Sequence, residues 1–183
     1  MMNNLFDKLG VSVFKTDLSR KMTLNNMTAP YPVYKIKIDE LFYNDKNDRI
    51  ATIIDKHNKE NNEELIPGNN EKYNSLIETF IVQSNEQAMI KTKNSIRLIG
   101  QREAGVDLPD GRIIDGNRRF TCLRQLANEN EKFTYFEAVI LPETANEKQI
   151  KLLELMIHHG EEQRVDYDPI DMIIGAYKDI IEE

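Results

Sequence analysis

The sequence predicts an α+β fold followed by C-terminal helices. Three observations carry this. Tyr34, Ile36 and Ile38 alternate with Lys35 and Lys37, the period-two mark of a strand with one buried face. Tyr73, Leu76, Ile77, Phe80 and Ile81 fall at i, i+3, i+4, i+7 and i+8, which is one stripe of a helix. Strands and helices then follow one another irregularly, with no internal repeat and none of the regular alternation of a βαβ array.

Residues 1–30 open with Leu5, Phe6 and Leu9 and continue in polar residues to Ala29 and Pro30 without sustained periodicity, so a loosely attached lead-in is expected. A mixed core follows over 31–145. Val33 to Ile38 is its first expected strand, and the turn-rich run Asn44 to Arg49 feeds a helix carrying Ile50, Ile53 and Ile54. The polar run Asn58 to Glu64 and the pair Pro67-Gly68 interrupt the chain before the Tyr73 stripe, and about 55–90 reads as an inserted helical segment. A further helix contains Ser95 to Ile99 and ends at Gly100, a residue suited to the left-handed conformation of helix ends. Arg102 to Leu108 and Arg112 to Asp115 read as two strands joined by the turn Pro109-Asp110-Gly111. Gly116-Asn117-Arg118-Arg119 then leads into a helix with Phe120, Leu123 and Leu126 on one face. Phe133 to Leu141 is the next strand, stopped by Pro142. Residues 146–183 read as two helices separated by Gly160 to Pro169, the first over 146–158 with a broad buried face. The second stripe is still in phase at Glu183, which leads us to expect a helical domain cut short.

Composition narrows the function classes. The 183 residues suffice for one medium domain or a domain with trailing helices, and 40% hydrophobic against 30% charged residues allow a substantial core. No run approaches the ~20 apolar residues of a membrane span. Cys122 is the single cysteine, and the N-terminus lacks a basic stretch followed by an apolar run, so a cytoplasmic address without a membrane partner is expected. With 24 Lys and Arg against 31 Asp and Glu the net charge is −7, which argues against bulk attraction to nucleic acid. Any phosphate contact must be local.

The stretch Asp110 to Arg119 is where such a contact fits best. Gly116 permits a sharp turn, the first amides of the following helix lack acceptors, and Arg118 and Arg119 offer forked donors, a combination suited to a phosphate chain. An ordinary helix start with two solvated arginines explains the same residues equally well. Glu161 and Glu162 offer oxygen ligands to a hard cation such as Mg²⁺, with a solvated helix end as the plainer explanation. Asp168-Pro169 is a helix start, a carboxylate cap before a proline. His158 and His159 are adjacent and lack the i, i+4 spacing for a shared metal, His57 lies in a polar stretch and reads as exposed, and Cys122 reads as core packing.

Three separated pieces resemble one family, the ParB and sulfiredoxin superfamily. Val33 to Ile38 followed by Asn44 to Arg49 resembles the ParB opening, a strand leading to an Asn-Pro-x-x-x-Arg-like turn. Ser95 to Leu126, through Gly116-Asn117-Arg118-Arg119, resembles the segment with the family's Gly-Glu-Arg-Arg phosphate box. Gln163-Arg164-Val165-Asp166-Tyr167-Asp168-Pro169 resembles its Gln-Arg-x-Asp-Leu-x-Pro stretch. Order and spacing agree over most of residues 33–183. The resemblance implies a ParB-like N-terminal domain, a ParB/sulfiredoxin-like small mixed sheet with surrounding helices, binding a nucleoside triphosphate, in ParB proteins CTP with Mg²⁺, whose binding and slow hydrolysis work a clamp switch on DNA. By matching position, Gly116, Asn117, Arg118 and Arg119 would cradle the phosphates, Thr121 would lie beside them, Arg49 would approach from the opening loop, and Arg164 would brace the hinge.

The departures shape the expectation further. Asn117 replaces the acidic residue of the phosphate box, and Gly160 and Glu161 replace a Glu-Asn pair. Glu161 is then the candidate metal ligand, and at most a slow nucleoside triphosphatase is expected. The loop has no cysteine, which disfavours the sulfiredoxin reaction. Only the first helix of a helix-turn-helix follows Asp168-Pro169, so DNA is expected as a partner only through a longer parent chain. The expected function is a nucleotide-responsive switch of DNA partitioning or regulation, whose final helices move or form a homodimer. Two rivals stand beside it: a metal-dependent nuclease or phosphoryl-transfer enzyme using Glu161, Glu162 or Asp166, and an interaction module without ligand.

Overall fold

The computed structural model describes residues 4–24, 27–45, 48–62 and 64–165, with the backbone alone at 48, 49 and 158–165. The chain divides into two units, Met1–Ala145 and Asn146–Glu183. The first is mixed α+β. Its strands are β1 (Val13–Leu24), β2 (Met27–Lys37), β3 (Phe42–Tyr43), β4 (Gly105–Asp107), β5 (Arg112–Asp115) and β6 (Tyr135–Ile140), in the sheet order β1-β2-β6-β4-β5-β3. β4 runs parallel to β6 and β3 parallel to β5, while the other neighbours are antiparallel. Helices α1 (Asp48–Asn61), α2 (Glu71–Ser84), α3 (Glu86–Ile99) and α4 (Asn117–Ala127) complete the unit.

The core forms where helical stripes meet the sheet. Tyr73, Ile77, Phe80 and Ile81 of α2 and Met89 and Ile96 of α3 are buried in the same cluster as Ile36, Ile113, Phe120 and Phe136. The expected insertion at 55–90 therefore supplies core residues of the main unit. α3 ends as read, at Gly100 with φ 75°, whose amide bonds the Ile96 carbonyl. β3 is only two residues long and closes one edge of the sheet. Asn74 of α2 seals that edge, accepting from the Tyr43 amide at 3.3 Å and donating to the Leu41 carbonyl at 3.0 Å. Backbone groups that would otherwise be open to another strand are thus satisfied by a side chain.

The N-terminal lead-in is a correction. Residues 5–8 form a short 3₁₀ turn whose Leu5 amide bonds the Pro109 carbonyl, and Lys8 pairs with Glu40. β1 and β2 then build a ribbon registered from Val13↔Ile36 to Leu24↔Met27. The ribbon escapes a periodicity search because much of it has a strand on one side only. β2 pairs with β6 over Tyr34 to Lys37 alone, so from Val33 outward the ribbon leaves the sheet and carries the charges of an edge strand, Asp17, Arg20 and Lys21. Pro30 and Pro32 are tolerated there because each lies in a stretch with one neighbouring strand.

In the second unit α5 (Glu147–Val165) starts with a reciprocal box: the Gln149 amide donates to Asn146 Oδ1 at 3.0 Å and the Asn146 amide donates to Gln149 Oε1 at 2.9 Å. The expected break at Gly160 is not there. The helix passes through it, since one glycine in a helix costs only about 1 kcal/mol. Leu155 and Met156, expected in a broad buried face, are exposed. The second expected helix and the Asp166 to Pro169 stretch lie outside the described residues.

Phe136 of β6 fixes two backbone segments at once. A Cβ on Gly105 would sit 2.4 Å from Phe136 Cζ and 2.6 Å from the Asp115 carbonyl oxygen, and one on Gly116 would sit 2.7 Å from the same Cζ. Gly105→Ala must therefore displace a fully buried ring or a strand carbonyl, and a loss of about 1 to 3 kcal/mol in urea unfolding is expected. An unchanged midpoint would show that this close approach constrains nothing.

Candidate phosphate-binding site

The β5–α4 junction holds the candidate site. Gly116 adopts φ 108°, ψ 16°, a left-handed conformation that lets the chain turn from strand into helix in one residue. The first helical bond runs from the Phe120 amide to the Gly116 carbonyl at 2.9 Å. The amides of Asn117, Arg118 and Arg119 precede it and have no acceptor within the helix. Gly116 has no side chain to cap them, and the first turn contains no acid to offset the positive end of the helix.

Arg119 folds back over this end. Its Nη2 lies 3.3 Å from the point where a Gly116 Cβ would stand, so the missing methyl leaves room for the guanidinium. Nη2 donates to Asp115 Oδ2 at 3.2 Å, and Nη1 donates to the Glu103 carbonyl at 3.1 Å and to Glu103 Oε2 at 3.4 Å. Glu103 is 61% exposed, which leaves its pairing weak, about 0 to 1 kcal/mol. Arg118 is half-buried. Asn117 is buried, and its Oδ1 has no hydrogen-bond partner among the described residues.

Arg20, a residue outside the sequence reading, reaches the same place. From β1 it donates through Nη1 to Asp115 Oδ2 and to the Ala104 carbonyl, both at 2.6 Å. One carboxylate oxygen therefore answers two guanidiniums. The signal was invisible locally because the partners are 95 positions apart.

Other expected members of the site lie elsewhere. Thr121 is a correction: it is fully buried, with Oγ1 donating to the Asn117 carbonyl at 2.9 Å and 2.7 Å from the Tyr43 hydroxyl. One helical turn past Asn117, it faces the interior and not the loop. Arg49 lies in the first turn of α1, and its side chain lies outside the described residues. Arg164 and Glu161 lie within α5, in the second unit, and their side chains are likewise outside the described residues. Glu161 is thus inside a helix and not at its end. Cys122 packs as expected, fully buried, with burial pushing its thiol up to about 11. His57 is half-buried against Phe80, with ring centroids 5.6 Å apart, and not exposed.

Two of the acids beside the loop, Asp115 and Asp107, do not fit Mg²⁺. Asp115 is committed to two guanidiniums, and Asp107 on β4 is completely buried with neither carboxyl oxygen hydrogen-bonded. Among the described residues no cluster of three or more His, Cys, Asp or Glu is placed to hold a metal ion.

Burial drives the Asp107 carboxyl well above its ordinary value of 3.8, and the nearby Asp115 charge adds to the effect. The folded chain then holds this proton where the unfolded chain has released it. Stability should fall as pH rises from about 4, the unfolded value, to the folded value, and level off beyond it. Asp107→Asn, which keeps the shape of the neutral acid, should remove this part of the slope in urea unfolding between pH 4 and 8. A slope unchanged in the variant would show that Asp107 is ionised in the fold.

Among the described residues no helix is long and apolar enough to cross a membrane. No protein-family model matches the chain, and neither a curated protein nor a solved structure matches it with significance.

Proposed function

We propose that the β5–α4 junction binds the phosphate chain of a nucleoside triphosphate, and that the protein is a ParB-like nucleotide switch. One observation carries the reading: a left-handed Gly116 opens α4 with no acid in its first turn and no side-chain cap, while the Arg119 guanidinium lies against that glycine. In an acidic chain, this is a local concentration of donors and positive charge facing one point. Arg119 is available to a ligand because its present partners are replaceable. Glu103 is a solvent-exposed carboxylate, and the Arg119 contacts, 3.1 Å to the Glu103 carbonyl and 3.2 to 3.4 Å to the two carboxylates, are longer than the 2.7 to 2.9 Å usual for charge-assisted bonds.

Polyphosphate supplies several oxygens at once, so it can take the helix amides and the guanidinium together. CTP is the favoured nucleotide, on the resemblance of the loop to the ParB phosphate box. Asn117 stands where the ParB phosphate box has an acid, so hydrolysis is slow or lacking. A role in DNA partitioning or regulation in the cytoplasm is the setting in which such a switch acts.

Calorimetry with CTP, ATP, GTP and UTP tests this directly. Heat is expected with at least one triphosphate, and Arg119→Ala should weaken its binding by about 1.5 to 3 kcal/mol, the scale of a hydrogen bond to a charged group. Heat unaltered in Arg119→Ala, or no heat with any of the four, contradicts the proposal.

A further inference from the structure

We propose that Arg20 is a positioning residue of the phosphate site and that it makes the β1–β2 ribbon respond to occupancy, an inference that rests on the nucleotide-binding reading. Asp115 Oδ2 is shared between Arg20 at 2.6 Å and Arg119 at 3.2 Å, and Arg20 is the closer partner by 0.6 Å. An incoming phosphate therefore draws off Arg119, whose contacts are long, and leaves Asp115 with Arg20 as its remaining guanidinium. A carboxylate that is 7% exposed keeps its charge only with a close counter-ion, so the Arg20 pair strengthens as Arg119 leaves.

Arg20 is well placed to transmit this. It belongs to the part of the ribbon that has left the sheet, because β2 pairs with β6 only from Tyr34 onward. Its second bond, to the Ala104 carbonyl, ties the ribbon to the residue preceding β4. Between Lys15 and Ser19 the β1–β2 register shifts, with Thr16 Oγ1 donating to the Val33 carbonyl at 2.8 Å, so the ladder is interrupted just where the ribbon departs. An irregular ladder on one side and a two-pronged arginine on the other make the outer ribbon, 19–24 with 27–32, a segment whose opening depends on the Asp115 pair. Occupancy of the loop is thereby read in the ribbon through Asp115.

Hydrogen exchange of the full chain with CTP or inorganic tripolyphosphate tests the coupling. In the native sequence, saturating ligand should slow exchange in 19–24 and 27–32 by about three- to tenfold, together with the first turn of α4. Arg20→Ala should leave ribbon exchange fast and insensitive to ligand while the α4 turn is still protected, and Arg20→Lys should restore part of the ribbon response. Protection of α4 in the native sequence with the ribbon unchanged overturns the coupling and leaves the binding site standing. Protection of neither, with no calorimetric heat, removes both. The native comparison decides the matter even where Arg20→Ala fails to fold.

Discussion

One carboxylate organises the candidate site. Asp115 ends β5 at 7% exposure and receives guanidiniums from β1 and from the first turn of α4. A buried carboxylate keeps its charge only beside a close counter-ion, which Arg20 supplies at 2.6 Å, while Arg119 at 3.2 Å is the looser second partner that brings the first turn of α4 to the same oxygen. The same arrangement puts positive charge on a helix end that already carries a partial positive charge. Such a stack of like charge is stable only while anions lie against it, and in the free chain these are Asp115 and Glu103.

Apolar packing sets the stage for this electrostatics. Phe136 lies under both Gly105 and Gly116, and it meets Phe120 edge-on at 5.9 Å, which in turn meets Tyr43 at 4.9 Å. The junction is thus mounted on a row of buried aromatic rings that spans sheet and helix. Asp107 beside it is completely buried, and burial drives its carboxyl well above the ordinary value, which disfavours a further negative charge in the interior.

The parts of the molecule legible in the sequence are those whose determinants are local. The stripe from Tyr73 to Ile81, the Gly100 helix end and the Gly116 turn each depend on residues within a few positions of one another, and each stands where the pattern put it. The ribbon was illegible because an edge strand exposed on much of both faces has no reason to alternate, and its prolines read as breakers when they occupy a one-sided stretch. Arg20 was hidden by sequence distance. Thr121 was misplaced because nearness to Arg118 and Arg119 in sequence does not put it on their side of α4, and Gly160 misled because a single glycine weakens a helix without ending it.

A crystal structure of the chain grown with CTP addresses the central claim most directly. The account requires a phosphate group within hydrogen-bond reach of the Asn117 to Arg119 amides, with the Arg119 guanidinium turned from Glu103 onto that phosphate and Asp115 still on Arg20. A helix end bare of ligand, with Arg119 resting on Glu103 and Asp115 under saturating nucleotide, would contradict it.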